Sequence, residues 1–275
     1  GAGYAGGIIS SAQDGLKVCN NLEWRKPISS LNLILTSNVW QQDHNGYTHQ
    51  EPGLIDGLIN KKSEVINVYL PADANCLVNV FDKMSGDKNH INVVVASKHP
   101  SWQWLNKEQA LQYCKKGISV WDWASTNNNK EPDLVIATAG DCPTLEGVAT
   151  MSLIKEYLPE AKVRFVNIVD LMTLDKNHPH GIDDKEFDKI FTKNKPVLFN
   201  FHGYPKLIYG LVYNRRNKNF VVHGYKEEGT ITTAFDMRVQ NEIDRYHLMK
   251  EVISLLGLSE DRKSTRLNSS HVSES

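Results

Sequence analysis

"DLVIATAGDCPTLEGVATMSLIKEYLPEAKVRFVNIV", Asp133 to Val169, carries two nearly continuous apolar runs of strand length, one on each side of a longer stretch. Neither "DLVIATA" nor "VRFVNIV" alternates apolar with polar residues, so the strands they form are to be covered on both faces. Pro143 stands at a helix start, where its missing N–H costs nothing, and Thr144 to Leu158 is read as the helix. Strand, helix, strand is the repeating unit of a parallel sheet.

The same alternation extends in both directions. "LNLIL" (31–35), "VINVYL" (65–70), "INVVVA" (91–96), "PVLFNF" (196–201) and "NFVVHG" (219–224) read as further strands. Helices are expected over Ala74–Met84, Lys107–Lys116, Asp184–Lys193 and Val239–Leu256, with Asp73 at one start and Gly86 and Gly117 near two ends. The polar, Asn-rich "ASTNNNKEPD" (124–133) is the best boundary. The expectation is an α/β protein of two consecutive open, mostly parallel sheet units.

Composition narrows the function classes. Across 275 residues, 31 basic side chains face 32 acidic ones without a long basic run, which disfavours nucleic acid and anionic membrane as partners. Cys19, Cys76, Cys114 and Cys142 stand far apart without CxxC spacing, so no zinc site, redox pair or disulfide framework is expected, and a reducing, cytoplasmic setting is the default. No apolar run approaches a membrane span. The chain starts with Gly, and its first fifteen residues are Gly-rich without a clear period. It is therefore expected to be a fragment. "DRKSTRLNSSHV" (261–272) resembles an adapter translation; residues 259–275 are set aside as a tail without function.

Titratable chemistry concentrates in "WQQDHNGYTHQEPG" (40–53), which follows the strand "LNLIL". Open parallel sheets place ligands at the C-terminal ends of their strands. His44 and His49 can move protons near neutral pH, and Gln42 and Asn45 add amides that can donate or accept. The histidines are five apart with no helical pattern between them, which is not a zinc-helix pair. The alternative is a tight turn at Asn45-Gly46 flanked by ordinary loop histidines.

Other strand ends are weaker candidates. Lys98, just past "INVVVA", is placed to bind a phosphate, and the helix start at Asp73 either faces an anion or is a plain cap. His202 and His223 read as packed or capping residues, and "RRNK" (215–218) as a solvated turn. No GxGxxG follows a strand, and neither GxxxxGK[ST] nor GxSxG occurs.

"WQQDHNGYTHQEPG", "VYLPADANCLV", "ASKHP", "WDWAS", "TAGDCPTLE", "VRFVNIVDLMTL", "KPVLFNFHGYP", "HGYKEEGTITTAFDM" and "DRYHL", in this order from about Leu16 to Leu256, resemble thiamine-diphosphate-dependent phosphoketolase. The resemblance implies the later part of a pyrimidine-binding middle domain (16–123), a linker (124–133) and a transketolase-type C-terminal domain (134–258). Residues 1–15 are unmatched and read as foreign to the family. It implies a lyase that cleaves xylulose 5-phosphate or fructose 6-phosphate with inorganic phosphate to acetyl phosphate and an aldose phosphate.

By the same resemblance Gln42, His44, Asn45 and His49 line the site, with His44 and Asn45 also at the cofactor. His49 assists loss of a hydroxyl as water, and Lys98 binds phosphate. Mg²⁺ and the diphosphate belong to an absent N-terminal domain, so no metal ligand is expected in this chain. The full-length protein is implied to be a homodimer. Departures from the family are Gln41 where Arg is usual, Ala234 where Pro is usual, and the lack of the glutamate that acts on the aminopyrimidine. The fragment alone is thus expected to be inactive. A non-catalytic binding or dimerisation module of the same fold is the alternative, and another thiamine enzyme, a transketolase or a dehydrogenase E1 β subunit, is disfavoured.

Overall fold

The computed structural model describes residues 2–36, 38–42, 52–61, 63–229 and 231–258. In chain order the elements are α1 (Ala2–Asn21), β1 (Leu31–Leu35), α2 (Leu54–Ile59), β2 (Ile66–Tyr69), α3 (Ala74–Gly86), β3 (Ile91–Val95), α4 (Lys107–Lys116) and β4 (Ile118–Val120). These are followed by β5 (Leu134–Ala139), α5 (Asp141–Tyr157), β6 (Val163–Ile168), α6 (Asp184–Phe191), β7 (Val197–Phe201), α7 (Pro205–Val212), β8 (Phe220–His223), α8 (Ala234–Gln240) and α9 (Arg245–Leu255).

Two sheets result, as the apolar runs require. The first has the order β1-β3-β2 and is wholly parallel, with Leu33 and Val68 both opposite Val93. The second has the order β4-β6-β5-β7-β8 and is parallel except for the short edge strand β4, which runs against β6. Every residue of β2, β3, β5 and β7 is buried. One apolar cluster runs through both sheets, joining Val68 and Val93 to Val135, Phe199 and Phe201. An antiparallel bridge between Tyr69 and Asp170 and the bond from Leu70 N–H to Val169 O (2.7 Å) tie the sheets together.

Several local readings are corrected. The opening without a clear period is the helix α1, because Ile9 and Leu16 bury themselves in the shared core and outweigh the low helix propensity of its glycines. The single helix expected over 239–256 is two. Thr233 caps α8, and the Asp244 carboxylate accepts from Tyr246 N–H and His247 N–H to start α9 afresh. "RRNK" is no solvated turn: Arg215 is fully buried, donating to Leu174 O (2.9 Å) and Thr173 O (3.3 Å), pairing with Asp184 (3.2 Å) and lying over the Phe187 ring. The strand β4, which precedes 124–133, already belongs to the second sheet. Residues 124–133 themselves follow that sheet's edge, where Thr126 N–H reaches Val163 O (2.8 Å) and Asp133 N–H reaches Lys162 O (2.8 Å). No described helix is long and apolar enough to cross a membrane.

Candidate functional site at the strand ends

The C-terminal ends of the two sheets meet around Asp141. The chain leaving β1 makes a single 3-10 turn (Val39–Gln41), whose cap Asn38 accepts from Trp40 N–H (3.0 Å). The amide nitrogen of the same Asn38 donates to the Asp141 carboxylate, the first residue of α5. Gln41 spans the junction a second time: its amide nitrogen donates to Ser97 Oγ (2.8 Å), beyond β3, and lies 3.5 Å from Asp141 Oδ2. Ser97 Oγ also accepts from His99 N–H (3.1 Å), which holds the loop carrying Lys98. Three strand ends, those of β1, β3 and β5, are joined by four short polar side chains.

Trp40 is fully buried in a small cluster with Cys142, Tyr225, Met237 and Ile243, all from the second sheet's side, and stands edge-on to the Tyr225 ring at 6.0 Å. Gln42 is buried as well. His44, Asn45 and His49 lie outside the described residues. Where the chain is described again, Pro52 is buried beside Gly203, after β7: a Cβ placed on Gly203 would lie 3.8 Å from the Pro52 Cβ. Both flanks of the stretch 43–51 therefore rest on the C-terminal edge of the second sheet.

Two ionisable groups stand at the same strand ends. His202, directly after β7, is buried; burial lowers its pKa to about 4, so its imidazole is neutral at physiological pH. Its Nδ1 has no hydrogen-bond partner among the described residues. Gly140, after β5, has φ +106°, and a Cβ there would press to 3.0 Å on that of His202. Only glycine lets the two strand ends approach this closely. Burial also raises the pKa of Asp141, against the Cys142 N–H, the Asn38 amide and Arg238, which favour the carboxylate.

Lys98 is exposed, one residue from Ser97 and on the same edge as Gln41. Asp73 is spent on the protein: one oxygen caps α3 through Cys76 N–H (2.8 Å), the other accepts from Trp104 N–H and Leu105 N–H (3.0 and 2.9 Å). Of its two readings the plain cap holds. His223 is tied to Glu242 O (2.7 Å) through Nδ1, which is the capping role expected of it. No group of three His, Cys, Asp or Glu among the described residues could hold a metal ion. A cavity of about 630 Å³ lies elsewhere, lined by Glu131, Arg164, Asp188, Lys193 and Arg216. Arg164 there already donates to Lys189 O and Ile190 O, at the end of α6.

Sequence reasoning missed Asn38, Ser97 and Asp141. For Asp141 a signal existed: a carboxylate directly after "TAG", between a buried strand and a helix, at the edge where ligands gather.

Residues 98–274 match the family model described as the XFP C-terminal domain, and residues 7–86 match that of D-xylulose 5-phosphate/D-fructose 6-phosphate phosphoketolase. This chain belongs to the phosphoketolase family. It is 58% identical over 251 residues to a probable phosphoketolase of Clostridium acetobutylicum, covering 90% of this chain and 32% of that protein. It is 55% identical over 244 residues to probable phosphoketolase 1 of Rhizobium meliloti, covering 88% and 31%. The chain thus spans about a third of the length of these phosphoketolases. In fold it is similar to a transketolase of Pichia stipitis, with a TM-score of 0.62 at 15% identity over 83% of this chain and 30% of that one. It is likewise similar to a chain described as a split gene transketolase, inactive beta4 tetramer, with a TM-score of 0.57 at 12% identity, over 83% of this chain and 66% of that one. These structural likenesses agree with an α/β fold of mostly parallel sheets and a transketolase-type C-terminal unit.

Proposed function

We propose that these residues are part of an enzyme that cleaves xylulose 5-phosphate or fructose 6-phosphate with inorganic phosphate. The products are acetyl phosphate, an aldose phosphate two carbons shorter, and water. The observation that carries this reading is the tie between Asn38, Gln41 and Asp141 at one flank of the stretch 43–51, with Pro52 against Gly203 at the other. A histidine-rich segment held at both flanks over converging strand ends is suited to a polar substrate.

Thiamine diphosphate is the proposed cofactor; when bound it supplies the carbanion and the electron sink for carbon–carbon cleavage. The chain's donor set suits part of this group. The amide of Gln42 and the neutral imidazole of His202, whose Nδ1 has no partner among the described residues, fit its uncharged organic portion. Mg²⁺ and the diphosphate are proposed to be held by residues outside this chain. Gln42, His44 and Asn45 hydrogen-bond cofactor and substrate oxygens. His49 gives a proton to the departing hydroxyl, and Lys98 holds phosphate by its charge. The full-length protein is proposed to act as a homodimer in the cytoplasm, and four free, buried cysteines suit a reducing compartment.

The 275-residue chain by itself is proposed to be inactive, since it spans about a third of its relatives. The full-length protein, given Mg²⁺, thiamine diphosphate and phosphate, is expected to form acetyl phosphate, trapped as its hydroxamate, from at least one of the two ketoses. No product from either would overturn the proposal. His49→Ala in that protein should lower the rate about a hundredfold or more at an unchanged melting temperature. A collapse of the melting temperature would return His49 to a purely structural role. Assayed in the same way, the 275-residue chain should make no acetyl phosphate; turnover would show that it holds a complete site.

A further inference from the structure

Gln42, one of the side chains proposed to act on substrate, directly follows the 3-10 turn Val39–Gln41, so whatever anchors that turn sets where Gln42 stands. We infer that Asp141 is the positioning residue of the site, a latch on the C-terminal unit that holds the start of the 40–53 stretch through Asn38 and Gln41. The inference deepens the proposed function and rests on that reading for its catalytic consequence.

The geometry is reciprocal. The Asn38 amide oxygen fixes Trp40 N–H at 3.0 Å while its nitrogen donates to Asp141, so one side chain couples the 3-10 turn to the head of α5. The second oxygen of Asp141 faces the Gln41 amide nitrogen at 3.5 Å, and that nitrogen is shared with Ser97 Oγ at 2.8 Å. Asn38 is almost fully buried, with 1% of its surface exposed, so water does not readily replace its partner. Burial raises the pKa of Asp141, while its place in the first turn of α5, the Cys142 N–H and the Asn38 amide favour the carboxylate form. The two oxygens of Asp141 offer one acceptor to each of the two amides. Gln42 is the next residue after Gln41, so a shift of the latch moves it directly, and a displacement of about 1 Å in a positioned group can cost about a hundredfold in rate.

The test uses the full-length protein and two readouts, turnover and backbone hydrogen exchange at Trp40, Gln41 and Gln42, whose N–H groups are bonded within the turn. Asp141→Ala is expected to lower kcat about tenfold or more with KM for the ketose within about threefold, and to speed exchange of those amides about tenfold. Asn38→Asp, which sets two carboxylates against each other, should do the same. The swapped pair Asn38→Asp/Asp141→Asn should restore both readouts to within about threefold of the parent, since the carboxylate–amide bond is remade in reverse. Where Asp141→Ala does not fold, the Asn38→Asp single variant and the swap decide alone. Unchanged exchange and kcat in the single variants would overturn the latch. So would a swap that restores exchange and leaves kcat low, because Asp141 would then act on the reactants itself. Exchange is read without substrate, so a protein that makes no acetyl phosphate but shows the expected exchange pattern keeps the latch and loses only the proposed reaction.

Discussion

His178 and His202 are both buried histidines of the second sheet's side, and burial lowers the pKa of both, yet their surroundings differ in kind. At the junction of the sheets, His178 is bonded through Nε2 to Ile66 O (2.8 Å) and accepts His180 N–H at Nδ1 (2.9 Å). Asp170 beside it holds His180 Nδ1 (2.8 Å) and Met172 N–H (3.1 Å), with Lys83 at 3.7 Å. Both ring nitrogens of His178 and both carboxylate oxygens of Asp170 have protein partners, and the cluster sits where strands of different sheets are stitched by the Tyr69–Asp170 bridge. At the crevice, His202 keeps a buried nitrogen without a partner among the described residues, beside a glycine that lets backbones close in. Satisfied polar burial ties the sheets together at the first place; at the second a buried nitrogen is left open at a strand edge.

The contrast can be broken from its structural side first. Asp170→Ala should cost about 3–4 kcal/mol in denaturant unfolding, because it strips Met172 N–H and His180 of their acceptor inside the junction. A loss below about 1 kcal/mol would mean that the cluster is not what joins the sheets.

The next largest effect belongs to the crevice. The folded-state pKa of His202 lies near 4 against an ordinary 6.5, so the unfolded chain takes up its proton first as pH falls. Stability is therefore full above about pH 6.5 and declines towards pH 4. The part due to His202 should be about 2–3 kcal/mol between pH 7 and 4.5. His202→Gln should remove that part of the acid sensitivity; an unchanged pH slope would place the titrating group elsewhere. The smallest effect is expected for His180→Ala, about 1 kcal/mol, since its partly exposed ring can exchange Asp170 for water.

Much of the scaffold was legible because burial on both faces leaves continuous apolar runs, and all five strands that carry the crevice and its packing, β1, β3, β5, β7 and β8, stand on runs read in advance. What failed did so for identifiable reasons. α1 has poor propensity and is made by contact with the core, β4 is only three residues long, and α8 and α9 are divided by a side-chain cap within one amphipathic stretch. Arg215 looks like surface by composition and is interior by its bonds to Leu174 O and Thr173 O.

The same division runs through the site. The chemistry of 40–53 was visible as a local concentration of imidazole and amide at the end of a strand, because residue type and strand polarity are local properties. That Asn38 reaches Asp141, 103 residues away, and that His202 and Gly140 meet at the strand ends, was not visible, because contacts between the ends of different strands depend on sheet order and register. The sequence by itself determined the α/β class and which segment carries reactive side chains. Only the tertiary structure decided which buried groups have partners and which carboxylate Asn38 and Gln41 reach, since hydrogen bonds between distant residues form only once the packed sheets have brought them together.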